Sequence, residues 1–279
     1  MKIFKIIKIG SKILKKQKIS SHIIDSEILL SKILKRPREE ILINLDQTVN
    51  KKNILTYKKY LKRRSKNEPI AYILGEKEFW SKKFSVSRDT LIPRPETELI
   101  INKLNNIFKD KKISILDIGT GSGCIILSLL SCIERSTGLA VDISKNGLII
   151  AIKNSVKHNL SNRVKFLNIS FEKIFNKKFD LIVSNPPYIR RGHIKNLSND
   201  IKMYEPRMAL DGGNDGLDLI KKVIYKSKEI LKINGTLALE IGNEQSKKVS
   251  KILVGNNFRI KHFIKDYKNN IRCILAENS

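Results

Sequence analysis

The stretch "ISILDIGTGSGC", residues 113–124, decides the fold of this chain. Its first half is a short apolar run that is typical of a buried β-strand. Its second half carries Gly119, Gly121 and Gly123, which let the backbone turn sharply and approach a ligand closely. Residues 124–132 then continue as an apolar helix. A strand, a glycine-rich turn and a helix in direct succession predict the first unit of a doubly wound α/β sheet.

The chain beyond this unit keeps alternating between strand and helix patterns. We predict strands in "GLAVDIS", "VKFLNIS", "FDLIVSNPPY" and "GTLALEIG", helices in "NGLIIAIKNSVKH" and "GLDLIKKVIYKSKEIL", and a final strand pair in "FRIKHFIKD" and "IRCILAE". Strands that alternate with helices in this way are typical of an α/β doubly wound sheet.

The glycine loop and an acidic residue after the second strand predict a cofactor site. Asp142 lies 25 residues after Asp117, at a strand end where a carboxylate can accept both hydroxyls of a ribose. The loop lacks the later glycine of a dinucleotide-binding loop, so S-adenosylmethionine, which has adenosine but no phosphate, fits better than NAD. Asp117 either balances the ammonium group of this cofactor or caps N–H groups of the loop.

The segment "IVSNPPYIRR", residues 182–191, ends an apolar run on two prolines. Proline fixes φ and removes a backbone N–H, so a Pro-Pro pair often does no more than terminate a strand. Ligands of a doubly wound sheet bind outside the carboxyl ends of its strands, which places this elbow and the glycine loop at one cleft. We therefore expect Asn185 and Pro186 to accept the two N–H groups of a planar NH2 group, with Tyr188 packed against it.

Such an elbow suits methyl transfer to an amide or ring-amino nitrogen. Holding both N–H groups on acceptor oxygens favours a more tetrahedral nitrogen and turns its lone pair toward the methyl group. The same contacts stabilise the positive charge that develops on the nitrogen in the transition state. No dedicated general base is required, because a methylated, cationic nitrogen is strongly acidic.

The motifs of the chain, taken in order, resemble one enzyme family. "NPPY" resembles the motif of DNA adenine methyltransferases and of some protein and RNA methyltransferases. Together, "EPIAYILGEKEFW", "TLIPRPETE", "LDIGTGSGCI", "VSNPPYI", "EPRMALDGGNDGL" and "LALEIGNEQ" resemble the release factor glutamine methyltransferases, the HemK-like or PrmC family. The resemblance runs from about residue 21 to the C-terminus. It implies methyl transfer from S-adenosylmethionine to the glutamine amide of the Gly-Gly-Gln motif in class I peptide-chain release factors.

The resemblance also implies a domain organisation and a role for each motif. It divides the chain into a helical substrate-recognition domain at 1–70, a β-hairpin linker at 71–91 and a Rossmann-like methyltransferase domain at 92–279. The expected cofactor-binding residues are Asp117, Gly119, Thr120, Gly121, Ser122, Gly123, Asp142, Phe171 and Asn185. The expected catalytic residues are Asn185, Pro186 and Tyr188, and Pro187 completes the substrate site.

One position departs from the family pattern. After the third strand of the sheet the family usually has an acidic residue followed by an aromatic one, and this chain has Ser170 and Phe171. Phe171 can still cover the adenine. A serine accepts the adenine amino group less strongly than a carboxylate, so we expect weaker cofactor binding or a local shift of the alignment.

The N-terminal region predicts a bundle of helices. The apolar residues of the first helix recur at helical spacing and are Ile3, Ile6, Ile7, Ile13 and Leu14. Lysines interrupt every apolar run there, so the segment is no signal peptide; the alternative to a bundle helix is a membrane-surface or targeting helix. Ser20 and Ser21 are candidate caps of the second helix, and Pro37 can open the third. "EFWSKKFSVS" predicts a short hairpin.

The composition leaves one question open. The 55 Lys and Arg residues exceed the 27 Asp and Glu residues, giving a formal charge of +28, which usually indicates nucleic acid or anionic membrane as a partner. The lysines are scattered and accompanied by many isoleucines, as in proteins from AT-rich genomes.

The three cysteines have no metal-ligand spacing, and no apolar stretch reaches about 20 residues. We expect a cytoplasmic monomer without a metal ion or membrane partner.

Two other functions compete with this assignment. A nucleic-acid amino-methyltransferase, acting on adenine or guanine, is favoured by the charge. Such an enzyme flips its base out of a duplex and usually carries a target-recognition module, and no such module is evident here. The second alternative, a cofactor-binding adaptor without activity, is disfavoured by the intact Asn185 and Tyr188.

Overall fold

The computed structural model describes residues 1–279, which form two units. The first unit comprises Met1–Glu76 with Ser198–Tyr204, and the second comprises Lys77–Leu197 with Glu205–Ser279. The α-helices, numbered α1 to α11 in chain order, are Ile3–Lys16, His22–Leu34, Arg38–Ile43, Lys51–Arg64, Ile70–Leu74, Glu98–Phe108, Cys124–Cys132, Lys145–Lys157, Asn199–Tyr204, Asp218–Ile230 and Ser246–Gly255. The strands, β1 to β9, are Glu76–Phe79, Lys82–Ser85, Ser114–Ile118, Thr137–Val141, Val164–Leu167, Phe179–Ser184, Leu231–Glu240, Phe258–Lys265 and Ile271–Asn278.

Short 3-10 helices add to these elements at Pro95–Thr97, Phe171–Lys173, Arg191–Asn196 and Arg207–Ala209. No helix of the chain has both the length and the apolar character that crossing a bilayer requires.

The first unit is the predicted helical bundle. The amphipathic α1 buries four of its five predicted apolar residues, whereas Ile13 is 39 % exposed. Gly10 lets α1 approach α4 closely, because a Cβ at this position would lie 1.9 Å from the Tyr57 hydroxyl oxygen. Polar contacts also join the helices: the Ser26 hydroxyl lies 2.6 Å from that of Tyr57, and Arg64 pairs with Asp25 at 2.6 Å.

The helix starts of this unit match the sequence only in part. Pro37 directly precedes α3, as predicted. Ser21 precedes α2, but its hydroxyl donates to the Asp25 carboxylate at 2.8 Å and caps no backbone N–H. The backbone of Ser21, at φ −81° and ψ 17°, lacks the extended geometry that turns a capping side chain toward the helix N–H groups. Ser20 lies in the turn before it and is not the cap either.

The second unit is built on a seven-stranded sheet with the order β5-β4-β3-β6-β7-β9-β8. All neighbours are parallel except β9, which runs antiparallel to both β7 and β8. Hydrophobic clusters cover both faces, one formed mainly with α6 and α7 and the other with α10 and α11. Parallel strands buried on both faces are read in a sequence as continuous apolar runs, which explains why β3 and β6 are so apolar.

The predicted hairpin exists as the pair β1 and β2. Phe79 and Phe84 lie edge to face, with ring centroids 6.0 Å apart, and both are buried in the same cluster as α6 and α7. The hairpin thus contributes core to the sheet-containing unit.

The strand order has its switch point between β3 and β6. The chain leaves β3 through α7 to β4 on one side, and β6 is added on the other side of β3. In open α/β sheets a crevice forms at such a point, outside the carboxyl ends of the two strands.

Candidate active site

A cavity of about 490 Å³ lies at the carboxyl ends of β3 and β6. This volume falls in the range of small-molecule sites. The predicted residues that line it are Gly119, Thr120, Gly121, Ser122, Asp142, Phe171, Asn185, Pro186 and Pro187. The glycine loop and the elbow therefore face one cavity, as expected from the sequence.

Strand register explains this convergence. Ile118, the last residue of β3, is paired with Val141 on β4 and with Ser184 on β6. The residues that follow these three positions are Gly119, Asp142 and Asn185, so the register alone places them side by side.

The glycine loop needs glycines for its backbone geometry. Gly119, Gly121 and Gly123 have φ of 73°, 54° and 77°, a left-handed region in which other residues are strained. Gly123 does not line the cavity; a Cβ there would lie 3.1 Å from the Leu127 side chain and 3.2 Å from that of Ala151. Its smallness therefore serves the packing of α7 against α8.

Asp142 ties the end of β4 to the glycine loop. Its Oδ2 accepts a hydrogen bond from the Gly121 N–H, and its Oδ1 accepts one from the Ser144 N–H, both at 2.8 Å. A carboxylate has about four lone-pair sites, so each oxygen can accept one further donor. Asp142 lines the cavity and can offer these sites to a pair of ligand hydroxyls.

Asp117 lies behind the loop and does not line the cavity. It is 1 % exposed, its Oδ2 accepts a hydrogen bond from the Thr120 hydroxyl at 2.7 Å, and its Oδ1 has no hydrogen-bond partner. Burial, reinforced by the negative charge of Asp142, raises the pKa of Asp117 to about 7, against the lowering effect of the Thr120 hydrogen bond. A positive charge bound at the loop would favour the ionised form of this carboxyl.

The elbow is held through the side chains at its two ends. Asn185 Nδ2 donates to the Thr97 hydroxyl oxygen at 3.5 Å, and the Tyr188 hydroxyl donates to Glu240 Oε1 at 3.4 Å. Arg272 donates to the Tyr188 hydroxyl oxygen at 3.2 Å, and its guanidinium lies 5.7 Å from the centre of the tyrosine ring. Burial, together with the charge of Glu240, raises the pKa of Tyr188 to about 12 and keeps the phenol protonated. Tyr188 does not line the cavity, unlike the other three elbow residues.

The loop after α9 braces the same elbow. The Gly212 N–H donates to the Ile189 carbonyl at 2.9 Å, and the Ile189 N–H donates to the Leu210 carbonyl at 3.1 Å. The Gln245 side-chain amide donates to the carbonyls of Tyr188 and Gly216, each at 3.1 Å. These bonds come from the segments "ALDGGNDGL" and "IGNEQ", whose role was not apparent from sequence.

One wall of the cavity was not predicted from the sequence. It comes from the segment before α6 and consists of Arg88, Asp89, Thr90, Leu91, Pro93, Arg94 and Thr97. Arg94 pairs with the buried Glu205 at 2.5 Å, and the other oxygen of Glu205 accepts the Ile92 N–H at 3.2 Å. The proline-rich motif "TLIPRPETE" is a usable signal for this wall, although it was used only for the family resemblance.

A carboxylate lies close to the position where this chain has Ser170 in place of the usual acidic residue. Ser170 begins the 3-10 helix Phe171–Lys173, where its hydroxyl oxygen accepts the Glu172 N–H at 3.3 Å. Glu172 lines the cavity beside Phe171 and pairs with Lys222 at 3.3 Å. The acidic side chain thus follows the aromatic one in this chain.

Two family models match the chain. The model described as PrmC N-terminal domain matches residues 5–75, and the methyltransferase small domain matches residues 94–203. The chain also resembles the crystal structure of a methyltransferase from Pyrococcus furiosus, with a TM-score of 0.53 and 18% identity over 70% of this chain and 88% of that one. At this identity the likeness concerns the fold, and it confirms the predicted Rossmann-like class.

Curated relatives cover most of the chain. A release factor glutamine methyltransferase of Buchnera aphidicola subsp. Schizaphis graminum is 42% identical, over 91% of each chain. One from Clostridium botulinum is 39% identical, over 96% of each. A bifunctional methyltransferase of Rickettsia typhi is 37% identical over 90% of this chain but only 52% of its own length, so this chain spans about half of that relative. The family resemblance predicted from the motifs is therefore confirmed: the chain belongs to the release factor glutamine methyltransferase family.

Proposed function

We propose that this protein transfers a methyl group from S-adenosylmethionine to the side-chain amide nitrogen of the glutamine in the Gly-Gly-Gln motif of class I peptide-chain release factors. The observation that carries the proposal is the single cavity lined by both the glycine loop with Asp142 and the elbow Asn185–Pro187. A methyl donor and an NH2 acceptor can meet there. We further propose that the protein acts as a monomer in the cytoplasm, where release factors work.

The residues of the cavity fit S-adenosylmethionine. Asp142 would hold the ribose, Phe171 would cover the adenine, and Glu172 would supply the acidic group near it. The unpartnered, buried Asp117 Oδ1 behind the loop suits the positive charge of the cofactor. When bound, this cofactor supplies an electrophilic methyl group.

The role of Asp142 can be tested by calorimetry. We expect Asp142→Ala to lower the affinity for S-adenosylmethionine about tenfold or more, because two hydrogen bonds to a charged group are lost, at about 1.5–3 kcal/mol each before water recovers part of it. The variant also removes the acceptors of Gly121 and Ser144. Asp110→Ala, at an exposed carboxylate outside the cavity, is the matched control. An affinity equal to that of the control would remove Asp142 from the site.

The elbow performs the acceptor side of the chemistry. The side-chain oxygen of Asn185 and the backbone oxygen of Pro186 would each accept one N–H of the glutamine amide. In a free amide the nitrogen lone pair is delocalised and lies perpendicular to the amide plane. Holding both N–H groups fixes that plane, so that the lone pair points at the methyl group, and favours a more tetrahedral nitrogen. Because the two acceptors interact more strongly with a nitrogen that carries positive charge, they stabilise the transition state more than the ground state.

The competing acceptor is a nucleobase. Adenine and glutamine both present a planar NH2 group, so the elbow suits either, and the charge of +28 favours nucleic acid. We favour the release factor because residues 5–75 match the PrmC N-terminal domain. In addition, the relatives that match over more than nine-tenths of both chains are named release factor glutamine methyltransferases.

The substrate is identified by mass spectrometry after incubation of the full chain with purified release factor. We expect the methyl group on the glutamine of the Gly-Gly-Gln motif and none on a Gln→Ala release factor. A short Gly-Gly-Gln peptide should be a poor substrate, because it lacks the remote contacts of the folded factor. Activity should survive nuclease treatment. A protein that makes many phosphate contacts loses about a thousandfold in affinity between roughly 50 and 200 mM salt, and we expect no such loss of activity here. Methylated DNA or RNA beside an unmodified release factor would refute the proposal.

A further inference from the structure

The cavity is backed by a buried carboxylate that belongs to no predicted site. Glu240 ends β7, and Thr97 ends the 3-10 helix Pro95–Thr97; they are 1 % and 2 % exposed. Burying a carboxylate costs free energy unless hydrogen bonds compensate for lost water. Glu240 obtains two such bonds, from the hydroxyls of Thr97 at 2.7 Å and of Tyr188 at 3.4 Å.

Register places Glu240 beside the elbow. Leu239 on β7 is paired with Ser184 on β6, so the next residues, Glu240 and Asn185, lie on neighbouring strand ends. Through Thr97 and Tyr188 the one carboxylate therefore contacts both ends of the Asn-Pro-Pro-Tyr segment.

The hydroxyl of Thr97 determines which way the Asn185 amide faces. A hydroxyl has one hydrogen, and that of Thr97 is donated to Glu240 Oε2. Toward Asn185 the hydroxyl can then only accept, so its neighbour must be the amino group, Nδ2, at 3.5 Å. This contact is long, as such contacts often are before a ligand is bound. Since an amide carries one NH2 and one oxygen, Oδ1 of Asn185 is left to face a ligand.

The contact between Glu240 and Tyr188 is directed in the same way as the contact between Glu240 and Thr97. Arg272 can only donate, and it donates to the Tyr188 hydroxyl oxygen at 3.2 Å. The phenol hydrogen of Tyr188 is therefore available to Glu240 Oε1, and each carboxylate oxygen receives one hydroxyl donor. Burial raises the pKa of Glu240, whereas the hydrogen bond from Thr97, the charge of Arg272 and the hydrogen bond from Tyr188 favour its ionised form. The pattern belongs to that ionised form, because a carboxylic acid or an amide at position 240 can itself donate.

We propose that Thr97 and Glu240 are positioning residues for methyl transfer, which orient Asn185 so that its Oδ1, and not its Nδ2, meets the N–H of the acceptor. The inference rests on the proposed function, in which the acceptor is an NH2 group. An inverted Asn185 amide would set one NH2 group against another and would leave the Pro186 carbonyl as the one elbow acceptor for the charge that develops on nitrogen.

The test compares two substitutions of Thr97 in the full chain. Thr97→Val keeps the shape and removes the hydroxyl, and Thr97→Ser keeps the hydroxyl. In single turnovers with saturating release factor and S-adenosylmethionine, we expect the valine variant to be slowed on the order of 100-fold, as for other lost transition-state contacts. The serine variant should remain within about threefold of wild type. The KM for release factor and the calorimetric cofactor affinity should change by less than about threefold in both, since orientation acts on kcat.

A second background separates orientation from a general structural effect. If Thr97 and Glu240 act through Asn185, then Thr97→Val and Glu240→Gln should each lower the single-turnover rate when introduced into the wild type. Neither should lower the rate further when introduced into Asn185→Ala. Thermal melts identify any variant that is unfolded. If Glu240→Gln does not fold, the comparison of Thr97→Val with Thr97→Ser still tests the proposal.

Each outcome of these turnovers decides a different point. The positioning role alone would be overturned if Thr97→Val turned over at the wild-type rate. It would also be overturned if Thr97→Val lowered the rate by the same factor in Asn185→Ala as in the wild type. Absence of methyl transfer to release factor by the wild type would overturn the proposed function and this inference with it.

Discussion

Replacing Asn185 by alanine is expected to slow single-turnover methylation of release factor on the order of 100-fold or more while leaving cofactor affinity nearly intact. The residue lines the cavity between the glycine loop and the elbow, and it carries the only side chain oxygen of the Asn-Pro-Pro segment. Its loss removes an acceptor that is needed most when charge develops on the nitrogen. Asn185 is also an expected cofactor-binding residue, but the ribose and the adenine are assigned to Asp142, Phe171 and Glu172, so cofactor affinity should be nearly unchanged.

The control is another asparagine of the same unit. Asn196 is exposed at the end of the 3-10 helix Arg191–Asn196 and lies outside the cavity, so Asn196→Ala should turn over at the wild-type rate. Cofactor affinity is measured by calorimetry, and the chemical step by rapid quenching at saturating substrates. If Asn185→Ala instead loses cofactor affinity but transfers methyl normally at saturation, the roles assigned to the two halves of the cavity are reversed.

Replacing Gly212 by alanine should slow methyl transfer about 100-fold, although Gly212 does not line the cavity. A Cβ at this position would lie 2.8 Å from both the Pro187 carbonyl oxygen and the Tyr188 Cα, and 2.9 Å from the Gly216 carbonyl oxygen. These neighbours are all backbone atoms, so no side-chain rotation relieves the overlap. The elbow or the loop that braces it must therefore shift, which alters the contacts that hold the elbow. A displacement of about 1 Å at a reacting group can cost about 100-fold in rate.

Gly192 offers a matched substitution for this experiment. A Cβ there would meet no heavy atom within 4 Å, and its φ is not in the left-handed region. Gly192→Ala should therefore match wild type in single turnovers. Calorimetry should find S-adenosylmethionine bound by Gly212→Ala within a few fold of wild type, because the glycine loop and Asp142 are untouched. Equal rates for the two alanine variants would mean that the loop carrying Gly212 does not position the elbow.

Much of the fold was predictable because its signals are local. The helix expected at residues 124–132 is α7, Cys124–Cys132, since a glycine turn and an apolar run mark its start and length. The convergence of the glycine loop and the elbow followed from a topological rule, that ligands bind at the carboxyl ends of parallel strands. Local signals were insufficient where geometry depends on neighbours. Ser21 has the residue type of a cap but lacks the capping backbone geometry, and Gly123, an expected cofactor-binding residue, also packs closely against Leu127 and Ala151.

The sequence by itself determined the family, the α/β class with its helical N-terminal bundle, and two of the loops that line the cavity. Only the tertiary structure decided what holds these loops in place. Thr97 and Glu240 are 143 positions apart, and Gly212 contacts an elbow that begins at Asn185. Such contacts arise from strand register and from the folding of distant segments over one sheet edge. They leave no periodic pattern in the sequence, because each depends on the position of a backbone that is distant along the chain.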